Sequence, residues 1–168
     1  MKIESIKENV STLWDSLSEG WRQLSQSASN ALTRFRSGDT TNLPEAQEVD
    51  DEFYFPTRSW AMLGGELFED DNRIVVRIEI PGLNKEDIDV KVIDSRLVIS
   101  GEKRFERESG SGRWRMMERA YGSFSRAVPL HVEVNADAAQ ATYRNGILRV
   151  ELPKLSPGKP HGTRVPVA

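Results

Sequence analysis

The chain has 168 residues, of which 29% are charged and 38% hydrophobic, and its formal net charge at pH 7 is −3. This charge argues against a nucleic-acid-binding protein, which usually carries a basic face. No apolar run approaches the roughly 18 residues that a transmembrane helix needs, and the N-terminus lacks the apolar stretch of a signal peptide. The chain has no cysteine, which excludes disulfides and thiolate sites. We therefore expect a cytoplasmic protein.

Residues 1–36 have the spacing of an amphipathic helix, with one row of aliphatic side chains and a second, mostly aromatic row beside it. The rows are Ile3, Ile6, Val10, Leu13, Leu17 and Leu24, and Trp14, Trp21, Ala28 and Phe35. Gly20 and several serines lower helix propensity, which predicts one interrupted helix or two short ones. The stripe could pack permanently on a core or partner, or act as a mobile binding arm. A membrane-surface helix is the least favoured alternative, because the polar face is not mainly Lys and Arg.

Residues 37–65 are predicted to be a linker, since turn-forming residues are followed by an acidic run. The acidic residues are Glu45, Glu48, Asp50, Asp51 and Glu52. Such a run is most often a solvated spacer. Aromatic residues interrupt it, and they need a surface on this chain or another: Phe53, Tyr54, Phe55 and Trp60.

Residues 66–153 are rich in β-branched residues that largely alternate with polar ones, which predicts strands. The predicted strands are 73–80, 87–93, 96–101, 121–130, 138–143 and 147–152, with a short edge strand at 67–69. Asn145-Gly146 between two apolar runs predicts a type I′ hairpin. No long helical pattern separates the strands, so an antiparallel β-sandwich is favoured over a parallel α/β sheet.

Residues 104–120 interrupt the strands with a connection long enough to suggest a function. This loop carries Trp114, Met116 and Met117, and burying one such side chain is worth roughly 1.5–3 kcal/mol. The loop therefore predicts a partner surface.

Residues 154–168 are predicted to be an extended tail, because prolines and glycines forbid a regular helix. Val165 and Val167 lie two residues apart and point to the same side of an extended chain. Pro166 between them reduces the entropy lost on docking. A frayed terminus is the equally favoured alternative.

Several segments in this order resemble the α-crystallin domain of the small heat-shock proteins, in their bacterial form. They are PGLNKEDIDV at 81–90, LVISGEK at 97–103, ERAYGSFSR at 118–126 and ATYRNGIL at 141–148, followed by Val165-Pro166-Val167. The resemblance implies an all-β, immunoglobulin-like sandwich of seven or eight strands. It divides the chain into an arm and linker (1–65), an α-crystallin domain (66–153) and a C-terminal extension (154–168).

The resemblance also assigns roles to single residues. It implies that a strand near 113–117 pairs with a partner subunit, which places Trp114 and Met116 in a dimer contact. Arg126 matches a family arginine that supports this interface. Val165, Pro166 and Val167 would dock in a groove on a neighbouring dimer, for which we expect these lining residues: Val90, Val92, Ala139 and Ala141.

Together these features predict an ATP-independent holdase chaperone that binds partly unfolded proteins as a dimer-based homo-oligomer. The expected client-binding residues are Trp14, Leu17, Trp21, Leu24, Phe35, Phe53 and Phe55. We expect no cofactor, metal, nucleic acid or small-molecule substrate.

An enzyme is disfavoured, because the two histidines, His131 and His161, have no nucleophile at recognisable spacing. The main alternative is a non-chaperone adaptor or scaffold that uses the same sandwich to bind one specific protein partner.

Overall fold

Nine β-strands make up most of the part of the chain that a computed structural model describes, residues 31–52, 54 and 59–156. The strands are β1 (Leu32–Arg36), β2 (Ser59–Met62), β3 (Gly65–Glu69), β4 (Arg73–Glu79), β5 (Ile88–Ile93), β6 (Arg96–Lys103), β7 (Gly122–Pro129), β8 (Gln140–Arg144) and β9 (Ile147–Pro153). Short 3₁₀ helices lie at Asp39–Thr41, Ala46–Glu48, Lys85–Asp87 and Ala136–Ala138.

The strands form two antiparallel sheets. One has the order β2-β1-β7-β6-β5 and the other the order β3-β4-β9-β8. The predicted antiparallel β-sandwich is confirmed, and the strands predicted between residues 66 and 153 are all present with ends shifted by at most two residues.

The core forms between the sheets because apolar side chains occupy every second position of the central strands. On β4, Ile74, Val76 and Ile78 are at most 2% exposed, and Leu97 and Ile99 on β6 are fully buried. This alternation fixes the register, since a shift of one residue would turn each apolar row towards solvent. The sandwich is therefore a rigid base for its edges and loops.

The turn between β8 and β9 has the backbone conformation that the sequence predicts. Asn145 and Gly146 have φ values of 51° and 78°, as the predicted type I′ turn between β8 and β9 requires.

Two strands come from residues that the sequence assigned to the arm and linker. β1 pairs with β7 on one side and β2 on the other, so the helix predicted through residue 36 is wrong for Leu32–Arg36. Thr33 and Phe35 face inward while Arg34 is exposed. This alternation is a strand period, which the seven-residue spacing of aromatic residues concealed.

Phe35 is therefore a core residue, which corrects its assignment to client binding. It is 2% exposed and its ring centroid lies 5.0 Å from that of Phe124. Gly122 allows β1 to approach β7 at this point. Its φ is +114°, and a Cβ there would lie 2.2 Å from the carbonyl oxygen of Arg36.

Replacing Phe35 with alanine should lower the free energy of unfolding by about 3–5 kcal/mol, because it opens a cavity between the sheets. Chemical denaturation followed by far-UV circular dichroism would measure the loss. Leu32→Ala on the same strand is the matched control, since Leu32 is 48% exposed. Equal, small losses for both variants would contradict the placement of β1 in the core.

Candidate functional site

The sandwich presents apolar side chains on two of its terminal strands. β5 ends one sheet and β8 ends the other. Val90 and Val92 lie on β5, Ala141 on β8, and Ala139 just before β8. Val90, Val92 and Ala139 are partly buried against the core and Ala141 is exposed. These four residues thus line edges at which a further extended segment could add backbone hydrogen bonds.

The long loop between β6 and β7 folds back onto the sandwich through an aromatic cluster. Phe105 is 4% exposed and packs edge-to-face against Trp114 and Tyr121, with ring centroids 4.9 and 5.1 Å away. Edge-to-face pairs of this kind stabilise beyond the area that they bury. Trp114 is consequently half-buried within its own chain.

The other side of the loop is held by residues 45–51, which we call the acidic strap. The amide of Trp114 donates to the carbonyl oxygen of Glu48 (2.9 Å), and the amide of Asp50 donates to the carbonyl oxygen of Trp114 (2.7 Å). These bonds form a parallel bridge between Val49 and Trp114. The strand near 113–117 that the resemblance implies is represented here by this single bridge.

Ion pairs reinforce the contact between strap and loop. Asp50 lies 2.7 Å from a guanidinium nitrogen of Arg113 and 2.5 Å from one of Arg115. Glu48 lies 3.0 Å from Arg107. The pKa of Glu48 is held below its usual value, first by the backbone amide of Glu45 and then by the Arg107 guanidinium. The acidic run is thus a docked segment, which corrects its interpretation as a solvated spacer.

Sequence reasoning missed this docking, although its signal was present. Arg107, Arg113 and Arg115 in the loop carry the charge opposite to that of the acidic run. Charge complementarity between two segments about 60 residues apart could have suggested the contact, but only the fold decides which charges meet.

The loop leaves one of its predicted contact residues open. Met116 is 67% exposed, whereas Trp114 packs on Phe105. Of the two, Met116 thus offers the accessible apolar surface.

Arg126 on β7 lies directly across from Ile99, a fully buried residue of β6. Neighbours in this register share one face of the sheet, so the Arg126 side chain begins on the inner face. Its Nε and Nη1 atoms are buried, and no group within the described chain accepts a hydrogen bond from them. Burial lowers the pKa of Arg126. An unsatisfied buried donor costs about 1–3 kcal/mol, which favours an additional acceptor.

A second apolar patch lies on the outer face of the paired strands β1 and β2. Leu32 pairs with Met62 and Arg34 with Trp60. Leu32, Met62 and Trp60 are 48%, 49% and 58% exposed. The sequence did not identify this patch, because β1 was assigned to a helix.

The remaining predicted site residues lie outside the described residues: Trp14, Leu17, Trp21, Leu24, Phe53, Phe55, Val165, Pro166 and Val167. In the described ranges, no three or more His, Cys, Asp or Glu side chains cluster as metal ligands would. Those ranges also hold no helix with the length and apolar character to cross a membrane.

Curated relatives align with a little over half of the chain. Small heat shock protein C2 of Rickettsia felis is 37% identical over 94 residues, which are 56% of this chain and 61% of that protein. Heat shock protein 16 of Schizosaccharomyces pombe is 40% identical over 92 residues, 54% of this chain and 64% of that protein. The chain thus spans less than two thirds of the length of these relatives.

Solved structures of small heat-shock proteins have a similar fold. Heat shock protein 16.0 of Schizosaccharomyces pombe has a TM-score of 0.54 at 34% identity, and covers 63% of this chain and 97% of its own. A small heat-shock protein of Xylella fastidiosa has a TM-score of 0.50 at 29% identity, and covers 64% and 98%. The family model described as Hsp20/alpha crystallin family matches residues 66–168. The chain therefore belongs to the Hsp20/alpha crystallin family.

Proposed function

We propose that this protein is an ATP-independent holdase chaperone, which binds partly unfolded proteins and keeps them from aggregating. The observation that carries the proposal is the set of large apolar side chains that the described chain leaves exposed, above all Met116 at 67% and Trp60 at 58%. Such surface on a single chain is an aggregation hazard unless other chains cover it. Reversible coverage makes the same surface available to unfolding proteins. Binding of this kind needs neither catalysis nor a cofactor.

The client-binding arm in this proposal is shorter than the periodicity suggested. Because Phe35 is part of the core, the arm consists of residues 1–30, with Trp14, Leu17, Trp21 and Leu24 on its apolar stripe. Phe53 and Phe55, which precede β2 in the sequence, would supply a second apolar segment. Unfolding clients expose apolar side chains, and these would bury the same surfaces that neighbouring subunits cover at rest.

Assembly begins in this proposal with a dimer. Met116 would contact a second copy together with Trp114 once the loop leaves its own sandwich. Arg126 supports a second copy because its buried Nε and Nη1 atoms lack an acceptor among the described residues. The related small heat-shock protein of Xylella fastidiosa has a distinct high order structure in its crystal.

The C-terminal extension would link dimers into larger oligomers. Val165 and Val167 would enter the edges lined by Val90, Val92, Ala139 and Ala141, where partly buried apolar side chains are accessible. The valine side chains bury little apolar area, so each tail contact is individually weak. Several weak contacts in one oligomer sum through effective concentration and still open one at a time.

Removing the two arm tryptophans, in a Trp14→Ser/Trp21→Ser variant, should reduce protection of a heated client several-fold at equal molar ratio. Light scattering of a heat-aggregating test protein, without ATP, would measure this. The matched control is Glu8→Ser/Arg22→Ser, which changes two polar residues of the same segment and leaves its net charge unaltered. Undiminished protection by the double variant, with its oligomer intact, would refute the role of the arm.

A charge at the exposed Met116 of the loop, in Met116→Asp, should shift the oligomer to smaller species, because an aspartate cannot be buried unpaired in an apolar contact. Size-exclusion chromatography with light scattering would show the shift. The control His131→Asp adds the same charge to another exposed position. An unchanged oligomer would contradict the role of Met116. A wild-type monomer that binds one partner stoichiometrically would support the adaptor instead.

A further inference from the structure

We infer that the acidic strap is an internal brake on assembly, which holds the loop on its own sandwich and must release it before the loop contacts a second copy. This inference rests on the proposed role of the loop in the dimer. The strap is the only segment of the described chain that bonds both the backbone N–H and the backbone C=O of Trp114, through Glu48 and Asp50.

The strap and the aromatic cluster together hold the loop at Trp114. Trp114 is held on one side by the two backbone bonds to the strap and on the other by the ring of Phe105, 4.9 Å away. Met116 is already 67% exposed, but Trp114 can reach another chain only if the loop moves away from Phe105. The movement breaks the bonds to Glu48 and Asp50, unless the strap leaves the sandwich with the loop.

The strap also ties the two ends of the loop. Near the start, the Arg107 side chain donates to the Glu48 carboxylate (3.0 and 3.1 Å). It also donates to the carbonyl oxygen of Leu43, just before the strap (3.0 Å). Near the end, the amide of Met117 donates to Asp51 Oδ2 at 2.8 Å. The loop is therefore held at three positions by a single neighbouring segment.

The ion pairs between the strap and the loop are weak enough to break. Asp50 holds Arg113 and Arg115 simultaneously, but the side chains of these arginines are 51% and 77% exposed. Ion pairs at such exposure are individually weak and are screened by salt. Local contacts of this strength open at a free-energy cost well below that of global unfolding. Heat or salt would then release the loop while the sandwich stays folded.

The first test measures how fast separated subunits of the full-length protein assemble. The chain has no cysteine, so dyes can be attached to a Ser156→Cys variant at an exposed position. Two labelled populations are diluted until their subunits separate, then mixed and concentrated, and energy transfer follows assembly. Asp50→Asn removes the charge that both arginines share, and we expect assembly to become several-fold faster. The matched control is Glu66→Gln, which breaks the exposed Arg77–Glu66 pair between β3 and β4.

The second test locks the strap to the loop. The amide of Met117 donates to the Asp51 carboxylate, so an Asp51→Cys/Met117→Cys variant, which keeps Trp114, should form a disulfide within one chain. Oxidation should suppress assembly, and a reductant should restore it. A disulfide that instead joins two chains on a non-reducing gel would overturn the inference, because the strap would then bind the loop of another copy.

The two proposals fail in different ways. If Asp50→Asn leaves the rate of assembly unchanged while Met116→Asp still reduces oligomer size, the brake is refuted and the loop keeps its role in the dimer. If Met116→Asp also leaves the oligomer unchanged, the proposed role of the loop is refuted together with the brake.

Discussion

The terminal strands of the two sheets are the constraint on which the rest of this structure depends. A two-layer sandwich satisfies the backbone of its central strands but leaves the outer side of each terminal strand for another partner. Here the terminal strands are β2 and β5 in one sheet and β3 and β8 in the other. Among the described residues no further strand pairs with their outer sides, so each is a place where another extended segment can add backbone hydrogen bonds.

The core and the edges have different physical characters. The core is built from tightly packed aliphatic residues such as Ile74 and Leu97, at 1% and 0% exposure, and close-packed interiors do not rearrange without large cost. The edges and the loop are held by a few backbone bonds and by exposed ion pairs. A rigid interior with weakly held margins is what a protein needs if it exchanges partners without unfolding.

The strap and the loop illustrate how a charged segment acquires a structural role. An acidic run in a linker is usually solvated, and nothing in its local pattern distinguishes this one. It docks because the fold brings Arg107, Arg113 and Arg115 beside it and because the backbone of Trp114 needs partners. The aromatic cluster of Phe105, Trp114 and Tyr121 then fixes the position of the loop.

Sequence reasoning identified the elements that depend on local patterns. The alternation of apolar residues along β4 and β9 and the Asn145-Gly146 turn were sufficient to predict strands, a hairpin and an antiparallel sandwich. The family motifs in residues 81–148 were specific enough to indicate the α-crystallin domain. For the site, the predicted groove residues lie on or beside terminal strands and Met116 is exposed on the loop, but their roles stay predictions.

Long-range contacts were decided only by the tertiary structure. Phe35 fitted a helical row by spacing, but pairing with β7 made Leu32–Arg36 a strand and placed the ring against Phe124. The acidic strap was an ordinary linker until the loop arginines were beside it. In both cases the deciding partner lies some 60 to 90 residues away along the chain. A local pattern determines which conformations a segment favours, whereas its final environment depends on which distant segment covers it.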